Sequence, residues 1–264
     1  MPAWEFDGER YRQASAHQKE WGTGLIERLR LCGSESVLDL GCGDGVLTAL
    51  LADRVPQGRV LGLDASAGMV QAARSLARPN LRFEQLDVTE LDVCEAYDVV
   101  FSNAALHWIK DHTRLLAACR RALRPGGTLG ANFAAAGNCP NMERVLRQCM
   151  GYPRFAPHFA GFAWPWYMPE PAQYEALLAA AGFPRYQVQG QVRDRRFPDT
   201  ASLVRWIDQP GLVPFLPSLP ERERAAFRDN VVSEMVELTM QADGTCLEAF
   251  RRLEVMARRG EGEP

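Results

Sequence analysis

The sequence lacks the long apolar segments and the charge excess that mark several protein classes. Its 264 residues contain no run of about 18 apolar residues, the length that a membrane-spanning helix needs. The first residues, "MPAWEFDGERYRQ", contain no apolar segment of the kind found in signal peptides, so we expect a cytoplasmic protein without membrane contact. Because the formal net charge is −3, the chain has no general attraction for polyanions, and we expect no nucleic-acid partner.

Paired cysteines and clustered histidines are also missing. The chain has seven cysteines, an odd number, with no C-x-x-C motif, and its four histidines are scattered. These patterns favour free thiols in a reducing compartment over a disulfide framework, and they predict no bound metal.

Apolar β-rich runs and helix-like runs alternate along the first half of the chain. The strand-like runs are "SVLDLG", "RVLGLDAS", "LRFEQLDV", "YDVVFSNAA" and "GGTLGANFA". Such alternation predicts βαβ units and a parallel sheet. After about Phe133 the chain becomes dense in Pro, Gly and aromatic residues, and regular patterns return in "RYQVQGQVRDRRF" and "EAFRRLEVMARR". The second half therefore predicts a sheet edge interrupted by a helical cap.

A glycine-rich turn follows the first predicted strand. Gly41, Gly43 and Gly45 allow backbone N–H groups at a helix N-terminus to approach an anionic group. Asp64 ends the next predicted strand at the spacing typical of an acid that binds ribose hydroxyls. Val46 stands where the dinucleotide fingerprint has its last glycine, so the nicotinamide pattern is incomplete. A turn that merely joins strand to helix is the plain alternative.

A further acid, Asp87, is predicted to end the third strand together with Val88. In an open parallel sheet the ligand lies across the carboxyl ends of the strands, where this pair can meet an adenine ring and its amino group. The alternative for Asp87 is a helix cap.

Five motifs in this order resemble the class I S-adenosylmethionine-dependent methyltransferases: "VLDLGCGDG", "LGLDAS", "EQLDV", "FSNAALHWI" and "LRPGGTL". The resemblance implies a Rossmann-like, seven-stranded, mostly parallel α/β sheet with helices on both faces and an α-helical cap formed by insertions in the C-terminal half. It implies an N-terminal helical lid (residues 1–35), a core that binds S-adenosylmethionine (36–134), and the remainder of the sheet with a cap inserted over the substrate site (135–264).

The resemblance also implies which residues hold the cofactor. These are Asp39, Gly41, Cys42, Gly43, Gly45, Asp64, Ala65, Met69, Asp87, Val88, Asn103 and Ala104. Asp39 and the glycine turn meet the methionine part, whose carboxylate is the anionic group at the turn. Asp64 binds the ribose, Ala65 and Met69 flank the adenine, and Asp87 and Val88 bind its edge. Asn103 lies near the sulfonium end.

The whole chain is similar to small-molecule carboxyl methyltransferases, the trans-aconitate 2-methyltransferase and juvenile hormone acid methyltransferase groups. That similarity places Gln18 and Trp108 at the acid of the acceptor and implies O-methylation of a carboxylic acid. His107 is the candidate base if the acceptor is a phenol or an acidic carbon.

The segment "GYPRFAPHFAGFAWPWYMPEP" (residues 151–171), which we call the aromatic segment, indicates what kind of acceptor the protein binds. It offers Phe155, Phe159, Phe162, Trp164, Trp166 and Tyr167 against two cationic candidates, Arg154 and His158. A tricarboxylate calls for several arginines, so this composition favours an apolar or singly charged small molecule. The rings are either pocket wall or cap core.

Several alternatives remain open at this point. They are a C- or phenol O-methyltransferase of secondary metabolism, a malonyl-acyl-carrier-protein methyltransferase, and a cofactor-binding regulator without transfer activity. The strand-four exit lacks the proline pair of adenine and glutamine methyltransferases, and no Pro-Cys dipeptide supplies a cytosine-C5 nucleophile.

Overall fold

The computed structural model describes residues 16–262, which form one seven-stranded sheet with helices on both faces. The strands are β1 (Ser36–Leu40), β2 (Arg59–Asp64), β3 (Leu81–Gln85), β4 (Tyr97–Asn103), β5 (Leu123–Ala134), β6 (Arg185–Phe197) and β7 (Cys246–Arg258). The helices are α1 (Ala16–Leu29), α2 (Val46–Arg54), α3 (Ala67–Ala73), α4 (His112–Ala122), α5 (Pro140–Met150), α6 (Pro171–Ala180), α7 (Thr200–Trp206) and α8 (Glu221–Thr239).

The strand order is β3-β2-β1-β4-β5-β7-β6. Strands β1 to β5 pair in parallel, and β7 is antiparallel to both of its neighbours. Chain order reverses between β1 and β4, and an open α/β sheet binds its ligand beyond the carboxyl ends of the strands at such a point. The topology confirms the predicted fold class, and the ends of β1 and β4 are where a ligand is expected.

The third strand is shorter than predicted. It ends at Gln85, and Asp87 and Val88 lie beyond it. The Asp87 carboxylate accepts the backbone N–H of Thr89 at 2.9 Å and so caps a single helical turn, Val88–Glu90. A carboxylate that bonds locally to the backbone competes with the strand ladder, which is why the strand stops before it.

Helix α5 was missed by the sequence patterns because its start is specified from another part of the chain. Pro140 is at its first helical position, where the missing N–H costs nothing. The buried Glu248 of β7 accepts the Met142 N–H at 3.0 Å, which supplies a cap across the tertiary structure.

The cap comes from two insertions, one between β5 and β6 and one between β6 and β7. Its own apolar cluster joins α5, α7, α8 and the aromatic segment to the first half of β7. The seven cysteines all fall within residues 16–262 and are all free thiols. Within the same range, no helix is long and apolar enough to span a membrane. Residues 1–15 of the predicted lid lie outside the described residues.

Candidate functional site

A cleft of about 590 Å³ opens at the carboxyl ends of β1, β2 and β4; we call it the cofactor cleft. Its wall includes thirteen of the fifteen predicted site residues. These are Gln18, Asp39, Gly41, Cys42, Gly43, Asp64, Ala65, Met69, Asp87, Val88, Asn103, Ala104 and Trp108. The other two, Gly45 and His107, lie outside this wall.

The glycine turn divides into two roles. Gly43 has φ +55°, and a side chain there would meet no atom within 4 Å, so its backbone faces open space. Gly45 has φ +78°, but a Cβ there would lie 2.8 Å from Ala73 and Phe83 atoms. Gly45 is therefore needed for close packing of α2 on the sheet, and the structure gives it no place in the cleft wall.

Asp64 connects the glycine turn to the start of α3. Its Oδ2 accepts the Gly43 N–H at 2.8 Å, and its Oδ1 accepts the Ser66 N–H at 2.9 Å. These bonds fix the orientation of the carboxylate in the cleft wall. The same side chain thus borders the cleft and holds the backbone of the glycine turn and of the start of α3, and its role toward ribose hydroxyls stays a prediction.

Asp39 is 2% exposed at the end of β1. Its pKa is raised to about 7: burial is the main cause and the negative charge of Asp64 adds to it, whereas the Thr48 hydroxyl, which donates to Oδ2 at 2.7 Å, opposes the shift. A buried acid in this state is stabilised in its ionised form by a cationic group beside it.

Asn103 lies where β4 ends. Its Nδ2 donates to the Gln18 carbonyl at 2.9 Å, whereas its buried Oδ1 has no partner among the described residues. Ala104 follows with φ +58°, a conformation that turns the chain away from the strand.

These features fit S-adenosylmethionine. The ammonium of its methionine part is a cation that suits the carboxylate of Asp39. The N–H groups of the same ammonium can donate to Asn103 Oδ1, because a buried acceptor atom requires a hydrogen-bond donor. A cleft of this volume falls in the range that holds a molecule of cofactor size.

A second, smaller cavity of about 60 Å³ adjoins the cleft; we call it the acceptor pocket. Gln18 and Trp108 border both cavities. The remaining wall is His107, Ala134, Asn138, Cys139, Met142, Glu143, Trp166, Met168, Trp206, Gly211, Phe250 and Arg252. The structure thus brings together the two residues predicted to hold the acid and the candidate base.

Arg252 of β7 is the site residue that the sequence patterns missed. It is 3% exposed, and its Nε donates to Asn132 Oδ1 at 2.9 Å. Its guanidinium lies 4.9 Å from the centre of the Trp21 ring. Residues two positions apart on a strand lie on the same face of the sheet, so Arg252 points the same way as the buried Phe250. This alternation along β7 was the sequence signal that could have identified Arg252. Arg154 and His158, the two cationic residues noted in the aromatic segment, do not line the pocket.

His107 is buried, and its pKa lies well below the usual value because of burial and the positive charge of Arg252. The ring is therefore neutral at physiological pH. Its Nδ1 has no hydrogen-bond partner within residues 16–262. His107 can take part as a neutral hydrogen-bonding group or as a proton acceptor.

The aromatic segment contributes both pocket wall and cap core. Trp164 borders the cofactor cleft and Trp166 borders the acceptor pocket. Phe155, Phe159 and Phe162 instead pack in the apolar cluster of the cap. The Lys110 amine donates to the carbonyls of Trp164 and Trp166, which ties the segment to the loop after Trp108.

Comparisons with known proteins agree with this geometry. A family model described as a methyltransferase domain matches residues 37–127. A trans-aconitate 2-methyltransferase of Methylobacterium nodulans is 33% identical over 257 residues, covering 97% of this chain and 98% of the relative. A trans-aconitate 2-methyltransferase of Deinococcus radiodurans is 39% identical over 201 residues, covering 73% and 75%.

A solved structure, that of the YcgJ protein from Bacillus subtilis, matches with a TM-score of 0.65 at 18% identity. The match covers 92% of this chain and 100% of that one and supports the fold alone. The sequence relatives and the site together identify an enzyme that uses S-adenosylmethionine. The chain belongs to the S-adenosylmethionine-dependent methyltransferases, in the family of the trans-aconitate 2-methyltransferases.

Proposed function

We propose that this enzyme methylates a carboxylate oxygen of a small organic acid bound in the acceptor pocket. The observation that carries the proposal is Arg252, a buried cation in the wall of a pocket that shares Gln18 and Trp108 with the cofactor cleft. The relatives are named for trans-aconitate, itself an organic acid. The regulator alternative has no comparable observation in its favour.

Charge complementarity supports an anionic acceptor. A buried guanidinium is costly unless an anion or a set of hydrogen bonds compensates it. Asn132 holds the group through Nε and, by its backbone carbonyl, through a terminal nitrogen at 3.2 Å, which fixes the plane of the guanidinium. A carboxylate matches that planar group better than a neutral acceptor does.

The pocket wall also bears on the number of charges in the acceptor. Among the described residues, Arg252 is the one arginine or lysine in that wall, and most of its neighbours are apolar or neutral. We therefore propose an acceptor that presents one carboxylate to this pocket. Arg252 attracts the acid, whereas Gln18 and Trp108, which border both cavities, orient the reacting oxygen.

The residues of the chain then need only to position the acceptor and to exclude water. S-adenosylmethionine, when bound, supplies a methyl group on a sulfonium, and transfer is an in-line displacement that depends on positioning and on exclusion of water. A carboxylate is ionised at neutral pH and needs no base. The N–H groups of Gln18 and Trp108 can orient it without neutralising it.

Water exclusion involves the two segments that flank the cleft. We propose residues 1–35 as a lid, residues 36–134 as the cofactor-binding core, and residues 135–264 as the rest of the sheet with the cap over the acceptor. Helix α1 and Trp164 both border the cleft, which supports this division. The expected cytoplasmic location stays a prediction.

The test is methyl transfer from labelled S-adenosylmethionine to a panel of monocarboxylic acids, trans-aconitate and phenols. With an accepted acid, Arg252→Met should lower kcat/KM about a hundredfold, through loss of a charge-assisted bond, and Arg252→Lys should restore part of it. Arg251→Met is the matched control, since Arg251 is the neighbouring, half-buried arginine and does not border the pocket. Equal losses in the Arg251 and Arg252 variants, or exclusive turnover of phenols, would refute the carboxylate proposal. Strong preference for an acid with several carboxylates would refute the single-charge part.

A further inference from the structure

His112 lies at the first position of α4 and borders neither the cofactor cleft nor the acceptor pocket. It is 2% exposed. Its ring contacts Tyr174 of α6 at a centroid distance of 5.4 Å and Tyr167 of the aromatic segment at 4.6 Å. Methyl transfer to a carboxylate uses no group of this buried histidine.

Two hydrogen bonds determine how the His112 ring is protonated. Nε2 lies 3.0 Å from the Leu106 carbonyl oxygen, and a carbonyl can only accept, so Nε2 carries the hydrogen. Nδ1 lies 3.2 Å from the Tyr174 hydroxyl and must then accept from it. Burial lowers the pKa of His112 to about 4, so the ring is neutral and this arrangement persists at physiological pH.

Leu106 begins the short helical turn Leu106–Trp108, which we call the acceptor turn because its next two residues, His107 and Trp108, border the acceptor pocket. The His107 carbonyl accepts the Tyr167 N–H at 2.8 Å. Two successive carbonyls of the acceptor turn are thus held from elsewhere in the fold: the His107 carbonyl by the Tyr167 N–H, and the Leu106 carbonyl by His112, whose ring is in turn held by Tyr174.

We propose that His112 is a positioning residue: its Nε2–H holds the Leu106 carbonyl and so sets the direction of Trp108, and Tyr174 keeps the ring in the required tautomer. The inference rests on the proposed function only for the role of Trp108 toward the acceptor. According to this inference, Tyr174 of α6 affects the acceptor site indirectly, since no residue of α6 borders either cavity.

The test compares four variants of the full chain labelled with 5-fluorotryptophan, in the presence of adenosylhomocysteine. The Trp108 fluorine resonance is assigned by its loss in Trp108→Phe. His112→Leu removes both hydrogen bonds, and Tyr174→Phe removes one oxygen. His112→Gln retains a donor that can reach the Leu106 carbonyl. Leu178→Ala is the matched control, because Leu178 is fully buried one turn further along the same face of α6.

We expect the Trp108 resonance to shift or broaden in His112→Leu and Tyr174→Phe, to return toward its wild-type position in His112→Gln, and to stay unchanged in Leu178→Ala despite a lower melting temperature. Misplacement of the reacting groups should lower kcat for trans-aconitate, or for the acid accepted in the panel, by about ten- to a hundredfold. Affinity for adenosylhomocysteine, measured by calorimetry, should remain near wild type.

An unchanged Trp108 resonance in Tyr174→Phe and His112→Leu would overturn the inference, as would the same change in Leu178→Ala. If His112→Leu does not fold, Tyr174→Phe and His112→Gln still decide, because they remove or keep single bonds. Failure of the proposed function has a different signature: the resonance moves as expected, but Trp108→Phe leaves acceptor kinetics unchanged.

Discussion

Lys19 Nζ lies 3.0 Å from Asp44 Oδ2, so an ion pair joins α1 to the glycine turn. The two side chains are 24% and 8% exposed, and this partial burial limits screening by salt. The contact lies at the cleft, since both residues border it. Because the ion pair connects α1 with the glycine turn, a ligand bound at the turn can affect the position of α1.

Neutralising this ion pair should weaken closure over the cofactor. We expect Lys19→Met to raise the Kd for adenosylhomocysteine about two- to fivefold, as for a partly exposed ion pair. In the wild type, adenosylhomocysteine should protect the segment from about Glu9 to Trp21 and the aromatic segment against limited proteolysis, and the variant should lose part of that protection. Glu20→Gln, an exposed neighbour on α1, is the control. Identical cleavage with and without saturating ligand in the wild type would exclude the lid.

Removing the Asp64 carboxylate should cost affinity and loosen the glycine turn. We expect Asp64→Ala to weaken adenosylhomocysteine binding by about 1.5 to 3 kcal/mol, since charge-assisted hydrogen bonds to the ribose are lost. NADH should not bind to the wild type. Asp53→Ala is the control, because Asp53 is an exposed acid paired with Arg78 outside the cleft. Calorimetry on the three proteins measures the effect, and wild-type affinity in Asp64→Ala would remove this residue from the site.

Cofactor binding should depend on pH through Asp39. The folded-state pKa of about 7 lies above the usual value of 3.8 for an aspartate, so protonated Asp39 favours the unliganded fold, and this stabilisation is lost as pH rises from about 4 to about 7. An ammonium beside Asp39 requires the ionised form. Affinity for adenosylhomocysteine should therefore fall about tenfold from pH 8 to pH 6, with proton release at the lower pH.

Asp39→Asn is the matched control for this pH dependence. It should bind weakly and without the pH dependence, and its unliganded form should melt at a higher temperature than the wild type at pH 8. Calorimetry in buffers of different ionisation enthalpy reports the released proton directly. A wild-type affinity that stays constant from pH 6 to pH 8 would show that Asp39 does not contact the ammonium.

The acceptor atom can be decided with three variants on one accepted substrate. For a carboxylate, Gln18→Ala and Trp108→Phe should each lower kcat/KM about tenfold or more, with cofactor affinity near wild type, and His107→Ala should have a smaller effect because no proton is removed. For a phenol or carbon acid, His107→Ala should be the most damaging.

The pH profile gives an independent measurement. Because the pKa of His107 lies well below 6.5, a reaction that uses it as base should gain rate with rising pH only in the acidic range. A carboxylate reaction should show no such rise from this group. A His107→Ala loss far greater than the other two would end the carboxylate proposal.

The cofactor side could be predicted because each of its parts is local. Gly43 follows β1, Asp64 ends β2, and Asn103 ends β4, and parallel pairing brings these strand ends together by geometry alone. Each of these short motifs specifies the backbone conformation at the strand end and also supplies the polar group that lies there. Asp87 lies in the cleft wall although its strand ends earlier than predicted, and its role toward the adenine stays a prediction.

The sequence by itself determined the order of the strands, most of the helices and the acidic and glycine residues near the strand ends, because short-range periodicity and turn chemistry specify them; helix α5 is the exception. Only the tertiary structure decided the acceptor pocket, because its wall comes from α1, α5, the aromatic segment and β7, which are distant in the chain. Arg252 stands in a strand that contains several arginines, and the sequence pattern of this strand does not show which part of the chain covers Arg252. Packing of the cap over that face of β7 makes this arginine a buried cation in the same pocket wall as Trp108, and that is a property of contacts rather than of sequence.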